Sequence, residues 1–389
     1  MSDQYTVTSS QGWGSRIGNS IKGILIGGVM TIASFPILFS NEGRAVAREK
    51  ALNEGAAAVV SVDAASIDAQ NEGRLVHLSG NAQTTDVVQD PEFGAQTVAL
   101  RLVREVTMYQ WKEKEERETR KKMGGGEETV TTYKYTKDWD DDVIDSSSFY
   151  DSEGHKNPGV KPYNSESFQA ENVTVGAFRM NPSQVARTGS PSDLPDDVAL
   201  TLPTDLGPVK RVGNTAYFGQ DSASPQIGDV RVSFFLVPPS DVSLVAEQRD
   251  GTMQPFTTPS GGEVDLLEDG IVSAAAMFQI AQDENTMLTW VLRGVGFFLM
   301  FLGLSLLFKP LSVLADVVPI FGSIVSVGTG VVAFLLAAAG SFLTIAIGWV
   351  FFRPLIGIPL VIVGVGALVW TFLKVKAAPR PASQGAVTA

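Results

Sequence analysis

Apolar side chains crowd into two stretches of this chain and alternate with polar ones between them. From residue 294 to residue 373 the charged residues are Lys309, Asp316 and Arg353. A helical crossing of a bilayer takes roughly 20 apolar residues, so this block predicts three spans, at 287–308, 331–352 and 354–373. Soluble helices this apolar on every face are rare. Arg293 can snorkel to the interface, and Pro354 suits a first helical turn. Trp349, Phe351 and Phe352 beside Arg353 predict an aromatic belt. Residues 309–330 are broken by Asp316, Pro319 and Gly322 and predict an interfacial or re-entrant segment. Residues 23–41 are uncharged and apolar through Phe39. They read as a first span after a polar N-terminus at 1–22, or as a signal peptide with Ala45-Val46-Ala47 as its A-x-A site. Three later spans favour the retained anchor. Gly23 and Gly27 are spaced either for close helix packing or for facing lipid.

The residues between, 42–270, predict a β-rich domain. Short runs of β-branched and aromatic residues at 75–78, 98–106, 129–135, 173–178, 230–237 and 242–246 are bounded by Gly, Pro, Asn and Asp. Residues 107–139 read as one long hairpin turning at Gly124-Gly125-Gly126. Its aromatics Tyr109, Trp111, Tyr133, Tyr135 and Trp139 fall two or four apart, on one face of each arm. That face either packs on itself over a solvated ribbon or binds a partner. Residues 181–201 mark a subdomain boundary, and Gln89–Gly94 and Ser224–Asp229 echo one another weakly before two strands. Residues 271–286 have helical spacing and lead into the C-terminal block. The expected fold is an α+β membrane protein. It has four transmembrane helices, one N-terminal and three C-terminal, with a large β-rich extramembrane domain between helices one and two.

Charge sharpens this division. Residues 42–292 hold 22 Lys/Arg against 40 Asp/Glu, a net of −18, and the remainder carries +6 of the overall −12. An acidic domain argues against nucleic acid as a partner. Arg16 and Lys22 flank one end and Lys374, Lys376 and Arg380 the tail at 374–389. Both termini are therefore expected in the cytoplasm, with the domain outside or lumenal, although Arg44, Arg48 and Lys50 lie on the opposite flank. The chain has no cysteine, which removes disulfides, thiol catalysis and Cys-based zinc sites.

Catalytic chemistry is thinly represented. The histidines are His77 and His155, and no H-E-x-x-H, nucleophile elbow, Walker loop or dinucleotide fingerprint occurs. The cluster Asp138, Asp140, Asp141 and Asp142 fails the EF-hand pattern, with Val143 and Phe149 where Gly and Glu are required; a looser cation site stays open. No catalytic, cofactor-binding or metal-ligating residue is assigned. Asn-Glu-Gly-Arg occurs twice, as Asn41, Glu42, Gly43 and Arg44 and as Asn71, Glu72, Gly73 and Arg74. These are either two polar turns or a clamp holding the domain base to the membrane, with Glu and Arg pairing locally or across the copies.

Both copies, the second continuing Leu75-Val76-His77, resemble the transmembrane protein 43 family, also called LUMA. Further matching runs are Met108-Tyr109-Gln110-Trp111, Gly154-His155-Lys156-Asn157-Pro158, Glu166-Ser167-Phe168, Gly228-Asp229-Val230-Arg231-Val232-Ser233-Phe234, those around Gln248-Arg249 and Pro255-Phe256, and Arg353-Pro354-Leu355. Order and spacing agree over nearly the whole chain. The resemblance implies a four-span protein with its large loop lumenal in eukaryotes, self-association, and organisation of the nuclear envelope and endoplasmic reticulum through lamins and emerin. It implies no catalytic residue and no cofactor. The missing cysteine and the Ala/Gly-rich, acidic composition point to a bacterial member of the cytoplasmic membrane, with the domain outside. Such a member has no lamina to bind, and its partners are itself, membrane lipids and other membrane proteins. The expected function is a non-enzymatic, self-associating membrane scaffold. The alternative is an oligomeric channel or transporter, against which stands the scarcity of ionisable residues within the spans.

Overall fold

The computed structural model describes residues 3–204, 207–317, 319–363 and 370. The chain forms two compact units. One holds the described residues of 1–12, 49–122 and 126–284; the other holds 13–48, 123–125 and the described residues from 285 onward.

The first unit is built on two sheets. One follows the path β1 (Gln4–Gln11), β4 (Glu127–Asp140), β3 (Arg101–Lys121), β7 (Val230–Val237), β6 (Thr215–Phe218) and β5 (Val209–Val212). In the other, β8 (Ser240–Arg249) lies between β2 (Leu75–Gln83) and β9 (Leu266–Asp269). The alternation in β7 sends Val230, Val232 and Phe234 inward, as a period of two requires. There they meet Leu102, Val106 and Met108 of β3 and Leu78, Val242 and Leu244 of the second sheet around Phe93 and Phe178. Seven consecutive residues of β8, Val242 to Gln248, are buried. Its second face is covered too: Val245, Leu75 and Leu266 pack with Leu52, Met277, Phe278 and Ala281 from helices. Burial on both faces explains why Leu244, Val245 and Ala246 follow one another without alternating polar residues.

The expected hairpin is present, with β3 and β4 paired from Met108↔Asp140 to Lys121↔Glu127. The N-terminus differs from expectation. Gln4–Gln11 is no loose polar segment but β1, paired antiparallel to β4 from Gln4↔Lys134 to Gln11↔Glu127. The segment expected as a polar cytoplasmic tail thus pairs with the hairpin expected on the other side of the membrane. Flanking basic residues could not reveal this, because strand pairing is a non-local event.

Among the described residues three helices are long and apolar enough to cross a membrane, within α1 (Trp13–Ala58), α2 (Ala274–Ala315) and α3 (Pro319–Phe352). Span boundaries shift accordingly. Helix α1 extends well beyond 23–41 at both ends, and Ala45 of the A-x-A motif is buried inside it. The expected break at Lys309 is absent. Helix α2 runs through Pro310 to Ala315, and the turn falls at Asp316 and Val317. A proline removes one hydrogen bond, a loss that apolar helices tolerate when their neighbours satisfy the freed group. Most of the expected segment 309–330 therefore belongs to helices. Pro354–Val363 is helical; the rest of the expected fourth span, and the tail at 374–389, lie outside the described residues, Trp370 apart.

Within the second unit α1 and α2 meet through glycines. A Cβ on Gly27 would stand 2.6 Å from the Gly303 carbonyl oxygen, and one on Gly296 would stand 2.5 Å from Leu38. Close backbone approach is the packing mode available to helices in lipid. Away from this seam Ile21, Leu25, Val29 and Ile32 of α1 and Met287, Val291, Val295, Phe298 and Leu302 of α2 are exposed, three or four apart and so on one face of each helix.

Candidate functional site

The first Asn-Glu-Gly-Arg copy is a polar node inside the helical unit. Asn41 donates to the Thr289 carbonyl at 3.0 Å. Arg44 donates to Asn285 Oδ1 at 2.9 Å, Thr289 Oγ1 at 2.9 Å and Asn41 Oδ1 at 3.2 Å. Asn285 in turn donates to the Ala45 carbonyl. Glu42 turns the other way. Arg293 binds it through two hydrogen bonds, Nε to Oε1 at 2.7 Å and Nη2 to Oε2 at 2.8 Å, and the Trp349 indole donates to Oε2 at 2.8 Å. The Arg293 guanidinium also lies over the Trp290 ring, 4.7 Å from its centre. Glycines make room for this node: a Cβ on Gly348 would press on Glu42 at 3.1 Å, and one on Gly43 on the Phe352 ring at 2.8 Å. Phe39 packs on Phe351 and Phe352. Arg353 ends α3, its N–H donating to the Trp349 carbonyl and its own carbonyl accepting from Gly357.

A second buried pair forms in the same unit. Arg16 Nη2 donates to Asp316 Oδ2 at 2.6 Å, and Nη1 to the Gly125 carbonyl at 2.5 Å. The Trp13 indole donates to the Val313 carbonyl at 2.9 Å, and the Gly124 N–H to that of Val317. The glycine turn of the hairpin, residues 123–125, is thus held by the first turn of α1 and the end of α2. Gly125 has φ +79° and lies against the Trp13 ring, where any side chain would collide.

The second copy sits in the β-rich unit and makes its own contacts. Glu72 accepts from the Asp250 N–H at 2.8 Å, Arg74 donates to Asn71 Oδ1 at 3.3 Å, and Gly73, at φ +73°, donates to the Gln248 carbonyl. Neither copy pairs its glutamate with an arginine of the motif: Glu42 takes Arg293, and Glu72 takes the Asp250 N–H and the Gln248 side-chain amide.

Two of the hairpin aromatics, Trp111 and Tyr135, pack on His155, which is 1 % exposed. Its ring stacks on Tyr135 at 3.6 Å and 10°, and stands edge-on to Trp111. Its nitrogens face Asp3 Oδ2 at 2.8 Å and Asp151 Oδ2 at 3.1 Å. Tyr135 donates to Glu113 at 2.5 Å and accepts from the Asp151 N–H. Burial, and then the Glu113 hydrogen bond, push its hydroxyl pKa above the ordinary tyrosine range. Tyr133 stacks on Tyr150, and Tyr109 meets Trp139, over which Arg231 lies at 3.8 Å. Asn157 replaces a strand neighbour for Trp111, accepting from its N–H at 2.7 Å and donating to its carbonyl at 2.9 Å. Asp140, Asp141 and Asp142 bring carboxylate oxygens together, but Lys112 already pairs with Asp140 at 2.8 Å.

Sequence reasoning missed the partners Arg16–Asp316, Glu42–Arg293 and Arg104–Asp90, the last a buried pair at 2.9 Å. For the first two a signal existed: a lone charge in an apolar stretch calls for a buried partner of opposite sign.

Long apolar helices bearing buried ion pairs, joined to a β-rich domain, define an α+β integral membrane protein. The profile of the transmembrane protein 43 family matches residues 108–354. The chain is 33 % identical over 381 residues to Transmembrane protein 43 of Mus musculus, covering 91 % of this chain and 94 % of that one. It is 35 % identical over 361 residues to the Homo sapiens protein, with 90 % and 89 % covered. Against the Drosophila melanogaster homolog it is 31 % identical over 358 residues, with 89 % and 93 % covered. The chain belongs to the transmembrane protein 43 family. No solved structure matches it.

Proposed function

We propose that this protein is a non-enzymatic membrane scaffold that self-associates and organises membrane protein complexes. The observation that carries the reading is the closure of its polar groups. A catalytic acid, base or nucleophile must present an atom to substrate. Here His155 is 1 % exposed with both ring nitrogens engaged by aspartates, and Glu42 is held by three donors. These groups fasten elements to one another. The exposed apolar faces of α1 and α2 suit acyl chains. Absent cysteine and the acidic composition support a bacterial cytoplasmic membrane as its location, with lipids, further copies and other membrane proteins as partners. Mass measurement on protein extracted with its native lipids tests the reading, and assemblies of more than one copy are expected. A single copy at every concentration, or ion flux through reconstituted vesicles, would defeat it.

A further inference from the structure

The strands β1, β4 and β3 make a three-stranded ribbon, and both of its long edges are open over the same rungs. Residues Gln4–Gln11 of β1 stand opposite 127–134 of β4, which stand opposite 114–121 of β3. On the far edge, β7 accompanies β3 only as far as Met108, and Asn157 occupies one further position at Trp111. The Tyr135 N–H donates to the Asp3 carbonyl, so odd-numbered residues of β1 bond to β4. Its even-numbered residues Gln4, Thr6, Thr8 and Ser10 then point their backbone groups outward. Likewise Tyr109 and Trp111 bond away from β4, which puts the backbone groups of Glu113, Glu115, Arg117 and Thr119 on the opposite open edge. Among the described residues none of these eight has a backbone partner on its outward side.

We propose that copies of this chain join head to tail, the outer edge of β1 in one copy pairing with the outer edge of β3 in the next. The proposal rests on the self-association put forward above and names its surface. An unpaired edge is a template for another strand, and three features select this partner. Both edges have the same length and level, so one contact satisfies both in every copy, whereas an edge paired with its own equivalent leaves the other open. In an antiparallel ribbon β1 and β3 run in the same direction, so neighbouring ribbons of equal orientation meet as parallel strands. Residues 114–121 carry Lys114, Glu115, Glu116, Arg117, Glu118, Arg120 and Lys121, while 4–11 carry no charge; the neutral edge meets the charged one without like-charge contact.

The natural absence of cysteine permits a direct test in the full-length protein in native membranes. Thr8→Cys is combined with Glu116→Cys, Glu118→Cys or Arg120→Cys, residues on one face in three registers. Within one chain β4 separates the two positions, a distance of about 9–10 Å, beyond the roughly 7 Å that a disulfide bridges. Mild oxidation is expected to give a ladder of linked copies for at least one double variant and none for Glu118→Cys alone. Thr8→Pro, which removes an outward N–H and leaves the bonds to β4, is expected to lower assembly several-fold. Assembly with no ladder in any register, or with Thr8–Thr8 links alone, overturns the edge pairing while self-association stands. A single copy throughout overturns both.

Discussion

Glu42 on α1 and Arg293 on α2 form a two-bonded ion pair, with the carboxylate 1 % and the guanidinium 15 % exposed. Both come from stretches whose neighbours are apolar, and the Trp349 indole completes the carboxylate's hydrogen bonding. The pair therefore fixes the rotation and height of three helices that hydrophobicity alone would leave free to slide.

Removing one partner should cost more than removing both. Glu42→Ala or Arg293→Ala strands a buried charge and should destabilise by about 3–5 kcal/mol. The double change Glu42→Gln with Arg293→Met should recover a large part of that loss. Thermal unfolding in lipid nanodiscs compares them; equal losses for single and double variants would show that the pair is not closed.

The hairpin turn separates two roles of glycine. Gly124, at φ +86°, has nothing near its would-be Cβ, whereas Gly125 lies on Trp13. Gly124→Ala should cost only backbone strain, about 1–2 kcal/mol. Gly125→Ala must also push the indole off the Val313 carbonyl, freeing the turn. Limited proteolysis at Lys122 should accelerate much more in the Gly125 variant.

Alkaline pH should loosen the hairpin. Burial first, and the Glu113 hydrogen bond second, raise the Tyr135 pKa in the folded chain. Its held proton contributes stability that is complete below the unfolded value of about 10 and is lost as pH rises through the folded one. Tyr135→Phe should lower stability at neutral pH by about 1–2 kcal/mol and flatten the decline at high pH. Tyr217, raised by burial and by Asp229, keeps part of that decline in the variant. Denaturant titrations at pH values from neutral to about 11 resolve the slopes; parallel slopes would contradict the assignment.

Sidedness is testable with two single cysteines. Ser9 pairs with Thr129, and Thr129 with Thr119. Ser9→Cys and Thr119→Cys should react alike with an impermeant thiol reagent in sealed vesicles of one orientation. Opposite responses would mean that β1 does not pair with β4 in the membrane.

Local pattern carried much of the architecture. The run of β-branched and aromatic residues at 230–237 matched β7 to the residue, because such side chains suit a pleated, half-buried strand. Glycines at 124–126 marked the turn because glycine adopts positive φ, as Gly124 and Gly125 do, at little cost. Uninterrupted apolarity marked the helices, and the two Asn-Glu-Gly-Arg copies marked places of polar structure. The ends of the helices were less legible: Lys309 and Pro310 look like a break, yet α2 continues to a turn where Asp316 finds Arg16.

What the sequence determined by itself is therefore what depends on neighbours in the chain: secondary structure type, turn positions, an apolar helical portion and an acidic β-rich one. What only the tertiary structure decided depends on partners hundreds of residues away. Arg293 reads as a snorkelling charge until Glu42 is beside it, Asp316 as a helix breaker until Arg16 reaches it, and Gln4–Gln11 as a loose polar tail until β4 offers an edge. Each is a residue that is unfavourable or indifferent where the chain puts it and becomes stable through a second residue that no local pattern specifies. Desolvated charges and open strand edges are satisfied only in three dimensions.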